Sequence, residues 1–359
     1  MDLIVEDLRE VWSSGIVTVG QLVRRLEAAT CEVTGAQHTI AVSSCTSGLM
    51  LAMRALDLTG EVVLPSFTFT ATGLAALWNG LTPVFADIDA ATWNLDPAAA
   101  REVITERTSA LIPVYVFGNP PDMAGLQAVA REAGIPVLTD AAQAIGATLG
   151  EGRAGSLADI EVFSLSPTKV VTGLEGGLIT TGDAVLAERL RRLRDYGKAP
   201  DGMDILEAGL SARMSEVHGA IGHRSLLALE RLMTHRLRLM ERYRGHLQDL
   251  PGISFQATEP GARTSGNYMV VAVDGGVAPF DRDALHDLLL KAGIQTKKYF
   301  HPALHQQTVY RELRAASEGR LAVTERVASR TLALPLYGHM EEHVVDEIAR
   351  EIRRAFRAP

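Results

Sequence analysis

Between His38 and Thr181 the chain repeatedly exchanges one periodicity for another, and this alternation constrains the fold more than any other feature. Short β-type runs at Thr39–Val42, Glu61–Leu64, Pro83–Ala86, Ala110–Tyr115, Ile135–Thr139, Ile160–Ser164 and Gly177–Thr181 are separated by helical patterns, among them Thr46–Leu56, Ala71–Trp78 and Met123–Glu132. Apolar strands alternating with helices predict an α/β domain whose mostly parallel sheet is covered on both faces. In such sheets ligands collect at the carboxyl ends of the strands, so the residues just after each strand are where chemistry is to be sought. Ahead of this region the first thirty residues read as helix, turn and helix, punctuated by Gly15 and Gly20. Behind it Asp183–Tyr196 reads as an Arg-rich surface helix and Ser215–Leu247 as one long helix, stopped by Pro251-Gly252. Past that stop the pattern restarts: a strand over Tyr268–Val273, a helix over Asp281–Ala292, a strand over Gln295–Phe300, and helices over Ala322–Arg330 and Glu341–Phe356. The expected organisation is a large α/β domain over 1–250 and a smaller α+β domain over 251–359.

Composition excludes several functions. A formal net charge of -8 argues against a nucleic-acid or anionic-membrane partner. Two cysteines, Cys31 and Cys45, are too few for a disulfide framework and suit a reducing compartment. Met1–Glu10 lacks the basic and apolar regions of a secretory signal, and the best apolar run, Val62–Ile88, is broken by prolines, an asparagine and hydroxyls. A cytoplasmic location is expected.

Three segments fall just after expected strands. Asp140 closes the run Val137-Leu-Thr-Asp; a carboxylate there is costly without a partner, although capping the next helix is an equal reading. Lys169 ends Phe163-Ser-Leu-Ser-Pro-Thr-Lys, a hydroxyl-rich turn that, taken alone, reads as a surface loop with a solvated lysine. Ala41-Val-Ser-Ser-Cys-Thr-Ser-Gly48 opens a helix, where free amides and hydroxyls suit a phosphate or a plain N-cap. Together they have one chemical logic. A pyridoxal phosphate site needs a lysine amine, a carboxylate facing the pyridine nitrogen and donors for the phosphate.

At this point the sequence resembles the DegT/DnrJ/EryC1/StrS family of sugar aminotransferases, of aspartate-aminotransferase fold type I. The likeness spans nearly the whole chain and is carried by AVSSCTSGL at 41, EVVLPSFTFTAT at 61, PVFADID at 83, IPVYVFGNPPDM at 112, TDAAQAIGA at 139, FSLSPTK at 163, LEGG at 174, ARMSEVHGAIG at 212 and YFHPALH at 299. The resemblance implies that Lys169 carries the cofactor as a Schiff base, Asp140 faces the pyridine nitrogen and Gln143 bonds the phenolic oxygen. It implies that Phe69 stacks on the ring, a core aromatic being the plainer alternative, and that Ser164, Thr46 and Ser47 hold the phosphate. It implies that Ser211 binds cofactor from a neighbouring subunit, its segment with Arg213 completing that subunit's phosphate site, and hence a homodimer with shared sites. The implied reaction moves an amino group from glutamate or glutamine to a keto sugar, most typically a nucleotide-linked keto-deoxy sugar. The alternatives are a cyclitol or other biosynthetic ketone, or a cofactor-binding sensor without turnover, against which the intact Lys169–Asp140–Gln143 set counts.

Departures from the family pattern are Cys45 for glycine, Ser211 for asparagine, Tyr196 for histidine and Asn119 for glutamine. They leave the Lys, Asp and Gln intact and bear on the substrate. A buried structural thiol is the expected state of Cys45. His218, His223 and His235 have no ligand-pair spacing, so no metal is expected. Arg213, Lys297 and Lys298 are candidates to face a diphosphate, and His305, with His301, to border the substrate cleft.

Overall fold

The computed structural model describes residues 2–313 and 317–357. Helices α1 (Asp2–Ser14) and α2 (Gln21–Thr34) precede the first strand, as expected. The main sheet is built from β1 (His38–Val42), β2 (Glu61–Pro65), β3 (Thr82–Ala86), β4 (Thr108–Leu111), β5 (Leu138–Asp140), β8 (Ile160–Ser164) and β9 (Gly177–Thr181). Between β5 and β8 lie the two-residue strands β6 (Thr148–Leu149) and β7 (Gly152–Arg153). Parallel bridges Leu111–Val137 and Val114–Asp140 join its two halves into the order β3-β2-β4-β5-β8-β9-β1. Only β9 runs against its neighbours.

Every residue of β2, β8 and β9 is buried, so the sheet has no solvent face. The period-two geometry of a strand sorts its side chains between two cores. Ile40, Val42, Val62, Leu64 and Val162 pack with Leu49 and Ala52 of α3 (Cys45–Ala55) and Ala75 and Ala76 of α4 (Thr70–Trp78). On the other face, Ala41, Phe163 and Leu178 meet Val23 and Leu26 of α2. Val63, Leu111 and Val137 meet α5 (Pro97–Val103) and α6 (Met123–Ala133). Helix α7 (Ala184–Leu193) adds Ala187, Leu190 and Leu193 to the first core.

The long helix expected over Ser215–Leu247 is two helices, α8 (Glu216–Leu227) and α9 (Leu229–Leu247), parted at Ala228. Each half answers to a different partner. Glu216 accepts the Gly20, Leu22 and Val23 amides and so holds α8 to the start of α2. Arg242 of α9 forks onto Asp346 of the last helix, α12 (Glu342–Ala355), which follows α10 (Arg282–Lys291) and α11 (Ala322–Arg330).

After residue 250 a second, antiparallel sheet runs β10 (Ile253–Phe255), β12 (Met269–Val273), β13 (Thr331–Leu334), with Leu285, Leu289, Val345 and Ile348 in its core. The intervening β11 (Ala262–Arg263) pairs back onto β6, so this stretch touches the first body before building the second. Gln295–Phe300, expected as a strand, makes a single bridge between Lys297 and Ala333 before the chain departs into the wall of the cavity described next.

Candidate active site

A cavity of about 340 Å³ opens at the carboxyl edge shared by β1, β2, β5 and β8, closed on its far side by Tyr268, Tyr299 and Phe300 from the C-terminal part of the chain. A pocket of this size suits a small cofactor with a few polar anchors.

Asp140 is the last residue of β5 and is 4% exposed. Its Oδ2 accepts from Thr72 Oγ1 at 2.6 Å and its Oδ1 from the Ala142 amide at 3.1 Å. Burial raises its carboxyl above the ordinary value; the Thr72 hydrogen bond, the Ala142 amide and the more distant Lys169 charge oppose the rise. Turns, not a helix, follow Asp140, so it caps no helix; the buried acid keeps open lone pairs on a cavity that also contains Lys169.

Lys169 follows the end of β8 on a turn closed by its own amide on Ser166 O at 3.1 Å, and Val170 N donates to Asn267 Oδ1 at 3.1 Å. The lysine is half-buried, with Nζ 6.0 Å from the Tyr268 ring centre. Gln143 is buried in the same cavity, and its Oε1 has no hydrogen-bond partner among the described residues. Such an orphaned amide end is expensive unless something else meets it.

Helix α3 begins here in a capping box: Ser44 Oγ accepts from Ser47 N, and Ser47 Oγ accepts from Ser44 N, both at 3.1 Å. Ser47 is thus spent on the cap, while Ser44, Cys45, Thr46 and Ser164 line the cavity beside the first-turn amides, a place suited to an anion. A side chain at Gly177 would meet Cys45 N at 2.6 Å, so that glycine lets β9 lie against the helix start. Phe69, the N-cap of α4, is 55% exposed at the mouth of the cavity, which disfavours the core-aromatic alternative.

These features fit pyridoxal phosphate: an amine, a buried acid, an unpaired amide, a helix start and a flat apolar ring converge on one cavity. Cys45 lines it too, but burial, together with the Asp140 charge, pushes its thiol well up, so it stays neutral.

Other expected residues lie elsewhere. His305 is buried, with Nδ1 2.7 Å from Ser66 Oγ and Nε2 3.2 Å from Glu325; it belongs to the packing between the two parts of the chain and does not line the cavity. Lys298 is paired with Asp283 at 2.7 Å, and neither it nor Lys297 lines the cavity. Arg213 pairs with Asp195 and lies over the Tyr196 ring at 5.1 Å; Arg213 and Ser211 are likewise outside this chain's cavity. Among the described residues no His, Cys, Asp and Glu cluster is arranged to hold a metal. Sequence reasoning missed Thr68, Tyr268, Tyr299 and Phe300 on the cavity wall and Thr72 behind it. Only the threonines carried a signal, being one helical turn apart at a helix start.

The fold, a mostly parallel sheet with one reversed strand and a site on its carboxyl edge, is that of the fold type I pyridoxal-phosphate transferases. The chain belongs to the DegT/DnrJ/EryC1/StrS aminotransferase family, whose model matches residues 2–353, and it is an aminotransferase. It is 33% identical over 345 residues to the dTDP-4-amino-4,6-dideoxy-D-glucose transaminase of Escherichia coli, covering 96% of this chain and 92% of that one. The crystal structure of DesI in the presence of its TDP-sugar product superposes with a TM-score of 0.94 at 37% identity, over 99% of this chain and 90% of that one. That of S. venezuelae DesV in complex with a ketimine intermediate gives 0.92 at 31%, over 99% and 95%. The family and these neighbours are pyridoxal-phosphate-dependent.

Proposed function

We propose that this aminotransferase holds pyridoxal phosphate on Lys169 and moves an amino group from glutamate or glutamine to the keto group of a nucleotide-linked keto-deoxy sugar. The observation that carries the reading is Asp140, a buried acid that forms no ion pair among the described residues and opens to the same cavity as Lys169. When bound, the cofactor supplies the carbonyl that captures an amine and the ring that takes up electrons from the substrate carbon. Lys169 Nζ would be the amine that anchors it and the base that carries a proton between carbons. Asp140 presents negative charge to the ring nitrogen, Gln143 meets the phenolic oxygen, Phe69 covers the ring, and Thr46 and Ser164 with the start of α3 take the phosphate. Burial, with Tyr268 beside it, pushes the Tyr299 hydroxyl up to about 12, so it remains a donor at neutral pH on the cavity wall.

Relatives that act on dTDP- and TDP-sugars support the sugar reading. A cyclitol or another ketone is the alternative for the same residues. Ser211 and Arg213 lie outside their own chain's cavity, which favours a homodimer in which they serve the partner's site. Residues 1–250 would form the cofactor-binding domain and 251–359 the smaller one. No helix among the described residues is long and apolar enough to cross a membrane, and with two free cysteines we place the protein in the cytoplasm. The decisive experiment is to load the purified protein with pyridoxamine phosphate and screen keto compounds for one that restores the aldehyde spectrum. A nucleotide keto sugar should do so, and an uncharged cyclitol ketone alone doing so would overturn the substrate assignment.

A further inference from the structure

Asp140 is gripped from behind by hydroxyls that no step above uses. Thr72 lies in the first turn of α4, is 0% exposed and reaches Asp140 Oδ2 at 2.6 Å. Its single hydroxyl proton has competing acceptors, Phe69 O at 3.2 Å and Thr68 Oγ1 at 3.0 Å. An idle threonine in a helix bonds the preceding turn's carbonyl. Here the much shorter contact is to the carboxylate, within the range of a charge-assisted O–H···O⁻ bond. With that proton committed, Thr72 Oγ1 is an acceptor and the Thr68 hydroxyl is the donor to it, so the chain Thr68–Thr72–Asp140 has a fixed direction while Asp140 is charged. Thr68 lines the cavity. The Ala142 amide holds the other carboxylate oxygen at 3.1 Å, so both ends of the group are tied and its plane cannot turn. Gly73, the next residue of α4, lies so close to the Tyr310 hydroxyl that a side chain there would collide with it.

We propose that Thr72, backed by Thr68, is a positioning residue for the cofactor: it fixes the plane of Asp140 and keeps it an acceptor toward the cavity. The proposal rests on the pyridoxal phosphate reading above. Hydrogen bonds onto a charged group are worth more than neutral ones and strengthen one another along a chain. Removing the Thr72 hydroxyl therefore acts on Asp140 first, and removing that of Thr68 acts through Thr72. The other titratable groups facing Asp140 are Lys169 and the neutral Cys45 thiol, and neither is altered by these changes.

The test uses the full-length protein, stripped of cofactor and titrated with pyridoxal phosphate by visible absorbance across pH, with Tm measured in parallel. Thr72→Val should bind roughly tenfold more weakly or worse, the equivalent of about 1.4 kcal/mol. The acid limb of its binding curve should move to higher pH, because the charged carboxylate has lost a donor. Thr72→Ser should restore affinity to within about threefold, and Thr68→Val should fall between wild type and Thr72→Val. Thr72→Val binding as wild type does, with an unmoved acid limb, overturns the proposal. If Thr72→Val does not fold, Thr68→Val decides, and wild-type affinity with an unmoved acid limb overturns it equally. Failure of the underlying cofactor reading looks different: the unmodified protein itself then binds no pyridoxal phosphate.

Discussion

Replacing Asp140 by Asn separates the two things the carboxylate does. Asn has nearly the same shape, so its carbonyl can accept from the Ala142 amide as Oδ1 does at 3.1 Å. Its amide can donate to Thr72 Oγ1, which then turns its proton to Phe69 O, already 3.2 Å away. Both protein contacts survive, and no charge is buried. Burial holds the Asp140 carboxyl above its ordinary value. Its contribution to stability is therefore full below the unfolded value of about 4 and is lost as pH rises through the folded value. Without cofactor, Asp140→Asn should thus melt at or above the temperature of the unmodified protein at neutral pH. The gap should close as pH falls toward about 4. Catalysis should go the other way. A charge-assisted hydrogen bond is worth about 1.5–3 kcal/mol, or roughly ten- to 150-fold. At saturating cofactor, turnover should fall at least tenfold. Thermal melts of the cofactor-free proteins across pH, with steady-state rates at checked occupancy, test both halves. A variant that loses stability but keeps near-normal turnover would refute the reasoning.

Borohydride added to the cofactor-loaded protein should fix the cofactor to one peptide, the one containing Lys169, as read by mass spectrometry; label on any other lysine contradicts the assignment. Mixing Lys169→Ala with Arg213→Ala should restore part of the activity through hybrid dimers, and no recovery despite demonstrated subunit exchange counts against a shared site. Lys298→Ala breaks an exposed pair with Asp283, so it should cost less than about 1 kcal/mol and leave KM within about twofold, whereas Arg213→Ala should raise KM with a dependence on salt.

The sequence made legible those features that depend on neighbours along the chain. Strands such as Ile160–Ser164 and Gly177–Thr181 are apolar runs between breakers, and their boundaries match the structure. Asp140 and the segments holding Ser164 and Thr46 stand out because each falls at a strand end or the helix start after one, where a parallel sheet delivers ligands, while the roles of Ser164 and Thr46 come from the family resemblance alone. Features set by packing were hidden. Ala228 is a good helix former, and nothing local to it records that α8 must hold α2 while α9 holds α12. Lys298 looks free in the sequence because Asp283, its partner, arrives only through folding. Tyr268, Tyr299 and Phe300 reach the cavity because the C-terminal part of the chain packs against the main sheet; the motif YFHPALH drew attention to its histidines, while its Tyr299 and Phe300 are the residues on the wall.

Where Lys297 and Lys298 lie bears on how an acidic protein would take an anionic substrate. Lys297 and Lys298 do not line the cavity, and among the described residues of one chain its wall offers Lys169 as its cation, the group proposed to hold the cofactor. A diphosphate therefore needs positive charge from outside the chain's own cavity. Arg213 stands with Arg191, Arg194 and Lys198 around a separate hollow; Asp195 pairs with Arg213 and Lys198, Glu188 with Arg191 and Glu27 with Arg194. If a second copy brings this cluster to the cavity mouth, dimerisation and recognition of a nucleotide-linked substrate become one requirement. The Asp140–Gln143–Lys169 set, by contrast, is complete within a single chain. Dilution or an interface substitution should then impair the sugar half-reaction before it impairs cofactor capture.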